Sequence, residues 1–210
     1  LYQKLAEGNV STLGGIEAKK IVTQCPHCFH TLKNEYPQMG GAYEVLHHTQ
    51  YLAQLVAEGR LKMPKDFEAS VTYHDPCFLA RVNGVTEAPR QLLNGALTIP
   101  LKEVARRESR TFCCGAGGGR MWMEEPPNQR PGVNRAQELL ATGAQTVAVG
   151  CPFCKVMVGD SIAQVAGEKA PPVMDISEIM LAALAKQQPQ ALSVPTTQVE
   201  PPIQQSQHSE

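Results

Sequence analysis

A chain of 210 residues with 42% hydrophobic content is long enough to bury a core without disulfide staples. Its 19 basic and 20 acidic residues are well mixed and give a formal charge of −1, a balance with no field for a nucleic-acid backbone, so no nucleic-acid partner is expected. No uninterrupted apolar run approaches the ~20 residues of a membrane span, and no charged-then-apolar signal segment opens the chain.

The chain begins at Leu1 rather than at a methionine, inside a predicted helix over residues 1–7, which puts the expected natural start upstream. Residues 20–23 (KIVT) form a β-branched run that leads into Cys25-Pro26-His27-Cys28. The residues after it read as a short helix stopped by Pro37. A strand is predicted near 43–46 and a helix over 49–58, with Leu52, Leu55 and Val56 on one face and Gly59 as its stop. Residues 70–74 (SVTYH) read as a strand ending at Asp75-Pro76-Cys77, where Asp75 is expected to cap and Pro76 to open the next helix. Short helices follow over 89–94, with Gly95 as the stop, and over 134–142, with Gly143 as the stop. Residues 146–149 (TVAV) then lead into Cys151-Pro152-Phe153-Cys154, a helix to about residue 166, a strand at 173–174 and a helix over 177–186.

The order strand, Cys-Pro-x-Cys, helix, strand, helix thus occurs twice, which points to internal duplication and a pseudo-twofold architecture. Alternating strands and helices predict an α/β fold with mainly parallel sheets flanked by helices, in which ligands bind at the carboxyl ends of the strands. The cysteines gather there. The expected organisation is a truncated first repeat over 1–66, a complete second repeat over 67–186, and a disordered tail over 187–210, rich in Pro, Gln, Ser and Thr.

Five of the seven cysteines form one composite pattern. Cys77 is followed after thirty-five residues by the adjacent pair Cys113 and Cys114 with Gly115, and after thirty-six more by Cys151 and Cys154. Thiolates suit iron–sulfur clusters and zinc, and two cysteines at a helix start can direct both sulfurs at one centre. Adjacent cysteines diverge and serve one tetrahedral ion poorly, so five thiolates favour a multi-iron cluster. The glycines from Gly115 to Gly119 allow positive φ and close approach, letting backbone N–H groups face an anionic cluster. An odd cysteine count with an adjacent pair fits a reducing compartment better than a secreted disulfide framework. Cys25 and Cys28 also match a redox dithiol, but at the echo of that motif Phe153 would give a thiolate no electrostatic help. His47 and His48 read as cap or surface residues, and His74 as a group for proton transfer or for a hydrogen bond to a metal ligand. The run Arg120 to Met123 reads as a packing plug or as lining for a docking face. Lys33, Arg106 and Arg107 read as solvated.

His74-Asp75-Pro76-Cys77, Phe112-Cys113-Cys114-Gly115-Ala116-Gly117-Gly118 and Gly150-Cys151-Pro152-Phe153-Cys154 resemble the cysteine-rich, or CCG, domain of heterodisulfide-reductase-type iron–sulfur proteins. Members include the catalytic B and D polypeptides of heterodisulfide reductase, the iron–sulfur subunits of glycolate oxidase and anaerobic glycerol-3-phosphate dehydrogenase, and lactate-utilisation proteins, usually with two tandem copies. The resemblance covers about residues 1–186. It implies that Cys77, Cys113, Cys114, Cys151 and Cys154 hold a 4Fe-4S centre, in heterodisulfide reductases a noncubane one, with Gly115 beside it. Cys25 and Cys28 would serve a second cluster or a zinc site. The texture of CPHCFHTLKNEYPQMGGAYEVLHHTQYL and FCCGAGGGRMWMEE is most similar to membrane-bound oxidoreductases that pass electrons from electron-transfer flavoprotein to quinone, which carry ferredoxin-like and membrane segments before the CCG region.

The expected function is therefore electron transfer between a flavin-linked donor and a quinone or similar acceptor. The expected location is cytoplasmic, at the inner face of the membrane through other segments or partner subunits. The alternatives are heterodisulfide-type chemistry with substrate at the cluster, a glycolate or lactate oxidase subunit, a structural zinc module, and a thiol–disulfide oxidoreductase acting through Cys25 and Cys28.

Overall fold

A computed structural model describes residues 1–126 and 129–187. Apart from Gln187, the tail expected to be disordered lies outside the described residues. The fold is α/β, with two small sheets, both parallel. In the first, β1 (Lys20–Thr23) pairs with β2 (Glu44–His47), with Lys20 opposite Glu44. The second has the order β3-β4-β5, built from β3 (Val71–His74), β4 (Thr146–Val149) and β5 (Val173–Asp175). Val71 stands opposite Thr146 and Val147 opposite Val173. Every residue of β3 and β4 is buried, as parallel strands covered by helices on both faces require.

Helices fill the intervals: α1 (Tyr2–Gly15), α2 (Pro26–His30), α3 (His48–Ala57), α4 (Glu87–Ala96), α5 (Pro131–Ala141), α6 (Pro152–Ala166) and α7 (Ile176–Gln187). Three of them open on proline, where the missing N–H costs nothing and the fixed φ suits the first turn. Two expected stops are corrected. Pro37 does not end the helical path after α2, which runs on through a π-type turn (Thr31–Glu35) and a 3-10 turn (Tyr36–Met39) to Gly40, because a proline in a first turn is tolerated. Gly95 lies inside α4, with Met63 packed over the space its missing side chain leaves, and the helix ends at Ala96 because Leu97 is extended. The first helix is also longer than expected, with Ala6 as its buried residue.

One apolar cluster packs Val71, Tyr73 and Ala148 of β3 and β4 against Leu92, Leu93 and Ala96 of α4 and Ile176, Ile179 and Ala183 of α7. The other face of β4, with Val147 and Val149, packs on Ala136 and Leu139 of α5 and on Val158 and Ile162 of α6, and Cys114, Cys151 and Cys154 belong to this cluster. Each fully buried Leu or Ile contributes roughly 1.5–3 kcal/mol.

The two sheets meet where β2 and β5 end. His48 Nε2 lies 3.2 Å from Asp175 Oδ1, and the fully buried His47 closes on residues that precede both Cys-Pro-x-Cys motifs. The expected cap role of His47 is met, since it forms a capping box with Gln50 on α3. Neither histidine is a surface residue, because the partner sheet covers both.

Burial, then the neighbouring His48, pushes the pKa of His47 down to about 4, against about 6.5 in an unfolded chain. Between these values the unfolded chain binds more protons than the folded one, so this contribution to stability is complete above about pH 6.5 and is lost as the pH falls toward 4. The loss from this one ring is about 3 kcal/mol. Denaturant unfolding of the metal-free chain at several pH values should register that decline, and His47→Asn should flatten the pH dependence.

Candidate metal centre

Two strand-to-helix junctions and one irregular segment between them deliver the cysteines. At the end of β3, His74 and Asp75 lead to Pro76 and Cys77, which opens a helical turn with Ala80 N–H bonded to Pro76 O at 2.9 Å. Asp75 does not cap this turn as expected. Its buried carboxylate takes a two-pronged bond from Arg90, Nη1 to Oδ1 at 2.8 Å and Nη2 to Oδ2 at 2.9 Å, and Oδ2 also accepts the Glu108 N–H at 3.0 Å. Arg90 is completed by Glu103, with Nε to Oε1 at 2.7 Å. Thr111 Oγ1 donates to Asp75 O at 2.9 Å, so the segment that carries Cys113 and Cys114 is tied to the end of β3. At the end of β4 Cys151 is the N-cap of α6, and Cys154 stands in its first turn.

The three segments converge on a cavity of about 370 Å³ lined by Cys77, Cys113, Cys114, Cys151 and Cys154. Cys77 Sγ is 3.9 Å from Cys113 Sγ, and Cys154 Sγ is 3.4 Å from Cys114 Sγ. All seven cysteines are free thiols. The structure thus brings the five-cysteine set together, while Cys25 and Cys28 are not among the lining residues. Their loop supplies a wall instead: His27 stacks on Phe78 with centroids 4.2 Å apart and stands edge-on to Phe153 at 6.1 Å.

Gly115, at φ 93°, adopts a backbone that L side chains rarely reach, and its N–H lies 3.3 Å from Cys113 Sγ. From the sequence these N–H groups are expected to face an anionic cluster; here the Gly115 N–H faces a cysteine sulfur. The run after them is no packing plug: Trp122 is 81% exposed and Met123 57%. Arg106 is not merely solvated either, since it stacks 3.8 Å over Phe112 and binds Glu138.

The thiols cannot all ionise unaided. Contacts with Cys114 and Cys77 and the N–H groups of Gly115 and Gly117 favour a thiolate at Cys113 despite burial. That charge suppresses its neighbours: contact with Cys113 and burial push Cys77 far up, and contact with Cys113 lifts Cys114 to about 12. Contacts with Cys114 and Cys151, together with burial, raise Cys154 well above the thiol range. Contact with Cys154 and the N–H groups at the start of α6 bring Cys151 down to about 7. The cavity lining contains no Lys, Arg, Asp or Glu. Only bound cations would let five sulfurs in this space become thiolates together, which is the donor chemistry of an iron–sulfur or zinc centre.

His74 adds a second mark of fit. Its buried Nδ1 accepts from Arg135 Nε at 2.9 Å, and a guanidinium only donates, so the ring proton sits on Nε2. Nε2 has no hydrogen-bond partner among the described residues, and a ring nitrogen of His74 shares a site within 4.8 Å with the Sγ atoms of Cys114 and Cys154. Burial, then Arg135, pushes the His74 pKa down to about 3. A neutral N–H beside cysteine sulfurs suits hydrogen bonding to them rather than proton relay.

Arg90, Arg135 and Gly132 escape a reading of the sequence alone. A signal for two of them is present: Gly132, Arg135, Ala136 and Leu139 form the buried stripe of α5, where an arginine and a glycine interrupt an apolar face. A Cβ at Gly132 would collide with Ser161 Oγ and stand 2.9 Å from Cys114 O, so this glycine lets α5 approach the cysteine pair.

The CCG cysteine-rich domain model matches residues 1–33 and 71–159. The chain belongs to this family. Among similar proteins, "EtfAB:quinone oxidoreductase" of Syntrophomonas wolfei is 42% identical over 191 residues, covering 88% of this chain and 27% of the relative. "Probable iron-sulfur-binding oxidoreductase FadF" of Bacillus subtilis is 40% identical over 180 residues, covering 86% and 26%. A polypeptide of the dihydromethanophenazine:CoB--CoM heterodisulfide reductase of Methanosarcina barkeri is 36% identical over 161 residues, covering 75% and 39%. This CCG chain therefore spans roughly a quarter to two fifths of those relatives, which bear the names of iron–sulfur oxidoreductases and reductase components.

Removing Arg90 leaves the Asp75 carboxylate buried without its partner, a change that costs about 3–5 kcal/mol. Arg90→Met should lower the denaturant midpoint accordingly and weaken iron uptake, because Asp75 binds the segments on both sides of the cavity. Stability and iron content equal to those of the unaltered chain would refute this.

Proposed function

We propose that the chain is the iron–sulfur electron-transfer part of a larger oxidoreductase. Cys77, Cys113, Cys114, Cys151 and Cys154 would hold a 4Fe-4S cluster. The observation that carries this reading is the convergence of five thiols from three segments of the chain on one cavity whose lining has no Lys, Arg, Asp or Glu. Such a cluster, when bound, takes up and releases single electrons. The chain's own part is to supply the sulfurs, to offer the N–H groups of Gly115 and His74 to them, and to keep water from them with Phe78 and Phe153. Donors aimed at cluster sulfur raise the reduction potential.

On this reading the donor is electron-transfer flavoprotein and the acceptor a quinone, supported by the identity with the quinone oxidoreductase of Syntrophomonas wolfei. Residues 1–66 would be the end of a first CCG repeat and 67–186 a complete second one. The two separate matched segments and the repeated order β1-α2-β2-α3 and β4-α6-β5-α7 support this division. Cys25 and Cys28 would ligate a second cluster or a zinc ion with residues from elsewhere. No described helix is long and apolar enough to cross a membrane, so attachment to the inner face of the membrane would run through other segments or partner subunits. A second reading, disulfide chemistry at the same centre, is favoured by the cavity's apolar walls, to which both Cys-Pro-x-Cys loops contribute Pro26, His27 and Phe153.

Anaerobic reconstitution followed by iron, sulfide and zinc analysis tests the proposal. About four iron and four sulfide per chain, with a redox-dependent paramagnetic signal, is the expected result. Cys114→Ser should abolish that signal. Zinc alone, with iron refused, would sink the electron-transfer reading and leave a structural metal module.

A further inference from the structure

β2 ends on His47, whose fully buried ring has partners at both nitrogens. Nδ1 lies 2.7 Å from Thr49 Oγ1, and the Gln50 backbone N–H donates to the same side chain. A backbone N–H can only donate, so Nδ1 is unprotonated and the ring proton sits on Nε2. On the other side Nε2 is 3.1 Å from Gln24 O and 3.1 Å from Gly150 O, both of which can only accept. The two sides of the ring require the same tautomer. Gln24 immediately precedes Cys25, and Gly150 immediately precedes Cys151, so one N–H is shared between the carbonyls that open both Cys-Pro-x-Cys loops.

The orientation of the 24–25 and 150–151 peptides sets the direction in which the Cys25 and Cys151 side chains leave the backbone. We propose that His47 is a positioning residue that holds both cysteine loops in one frame, so that a displacement of either loop is transmitted to the other. The proposal rests on the reading of these loops as metal-holding loops. The sequence offers no counterpart in the second copy, where Asp175 occupies the end of β5 and engages His48 instead. The strut is therefore a single, asymmetric device between two similar loops.

His47→Asn separates the bridge from the cap. Asparagine is a good N-cap and keeps an acceptor for Gln50 N–H, but its shorter arm does not span to Gln24 O and Gly150 O. In the chain reconstituted with iron and sulfide, this variant should retain its circular dichroism while the g-values and midpoint potential of the cluster signal shift. Iron loss to a chelator should be about tenfold faster or more. His47→Gln, with an N–H donor of longer reach, should return these values toward wild type. Unchanged g-values and potential in His47→Asn would overturn the proposal. If that variant does not fold, nitrogen-15 NMR of the unaltered metal-free chain decides. An Nε2-protonated His47 with a slowly exchanging proton is expected, and an Nδ1-protonated ring, which cannot bridge two carbonyls, overturns the assignment. An unaltered chain that refuses iron would sink the metal reading, while the NMR result would still decide whether His47 bridges the loops.

Discussion

Five sulfur atoms on one apolar cavity impose the constraint on which the rest of this structure depends. A thiolate placed there raises the cost of ionising each neighbour, and the cavity lining has no Lys or Arg to compensate the charge. The protein answers with dipoles rather than ions. Backbone N–H groups at Gly115 and at the start of α6 face the sulfurs, as parallel sheets permit, because each strand ends where the next helix or loop begins with its donors unpaired. Full charges are kept one layer back, where Arg90 is matched by Asp75 and Glu103 and Arg135 by Glu138. A cationic side chain inside the cavity would neutralise thiolates without binding them and would compete with any bound metal.

That layer of buried ions also assembles the site. The sheet holds β3 beside β4 and so brings Cys77 near Cys151, but Cys113 and Cys114 come from an irregular segment with no strand of its own. Their position depends on Asp75, which binds the Glu108 N–H through its carboxylate and Thr111 through its carbonyl. A carboxylate can reach two donors from different segments and an apolar side chain can reach none, which is the physical reason for a buried charge at this junction despite its desolvation cost.

The same distinction explains what can be read from the amino-acid sequence. Residues 20–23 and 146–149 are legible as strands because β-branched runs stand directly before Cys-Pro, and the five-cysteine set is legible because its spacing is specific. The glycine run announces its role through density alone. Arg90 and Arg135 are not legible as partners of Asp75 and His74, since contacts between residues 15 and 61 positions apart depend on a tertiary arrangement that no local pattern encodes. Asp75 reads wrongly as a cap for the same reason: Asp before Pro is an ordinary helix start, and the arginine that claims its carboxylate lies on another element. Local propensity marks Gly95 as a helix stop, and the helix takes in that residue and Ala96 before Leu97 turns extended.

The two Cys-Pro-x-Cys loops show how much the surroundings decide. Both begin at the end of a parallel strand and both open a helix on proline, yet Cys151 and Cys154 are buried while Cys28 is exposed. The difference lies in what stands beside each strand. β4 is flanked by β3, which carries Cys77 on its extension, whereas β1 pairs with β2 alone among the described residues. Two thiols are half of a tetrahedral ligand set, so Cys25 and Cys28 need ligands from outside their own loop to hold a metal. Cys25 is already biased toward the thiolate, since its contact with His27 and the N–H groups at the start of α2 outweigh the burial that opposes ionisation. The wall this loop supplies, His27 stacked on Phe78, makes the state of the first loop part of the environment of the second.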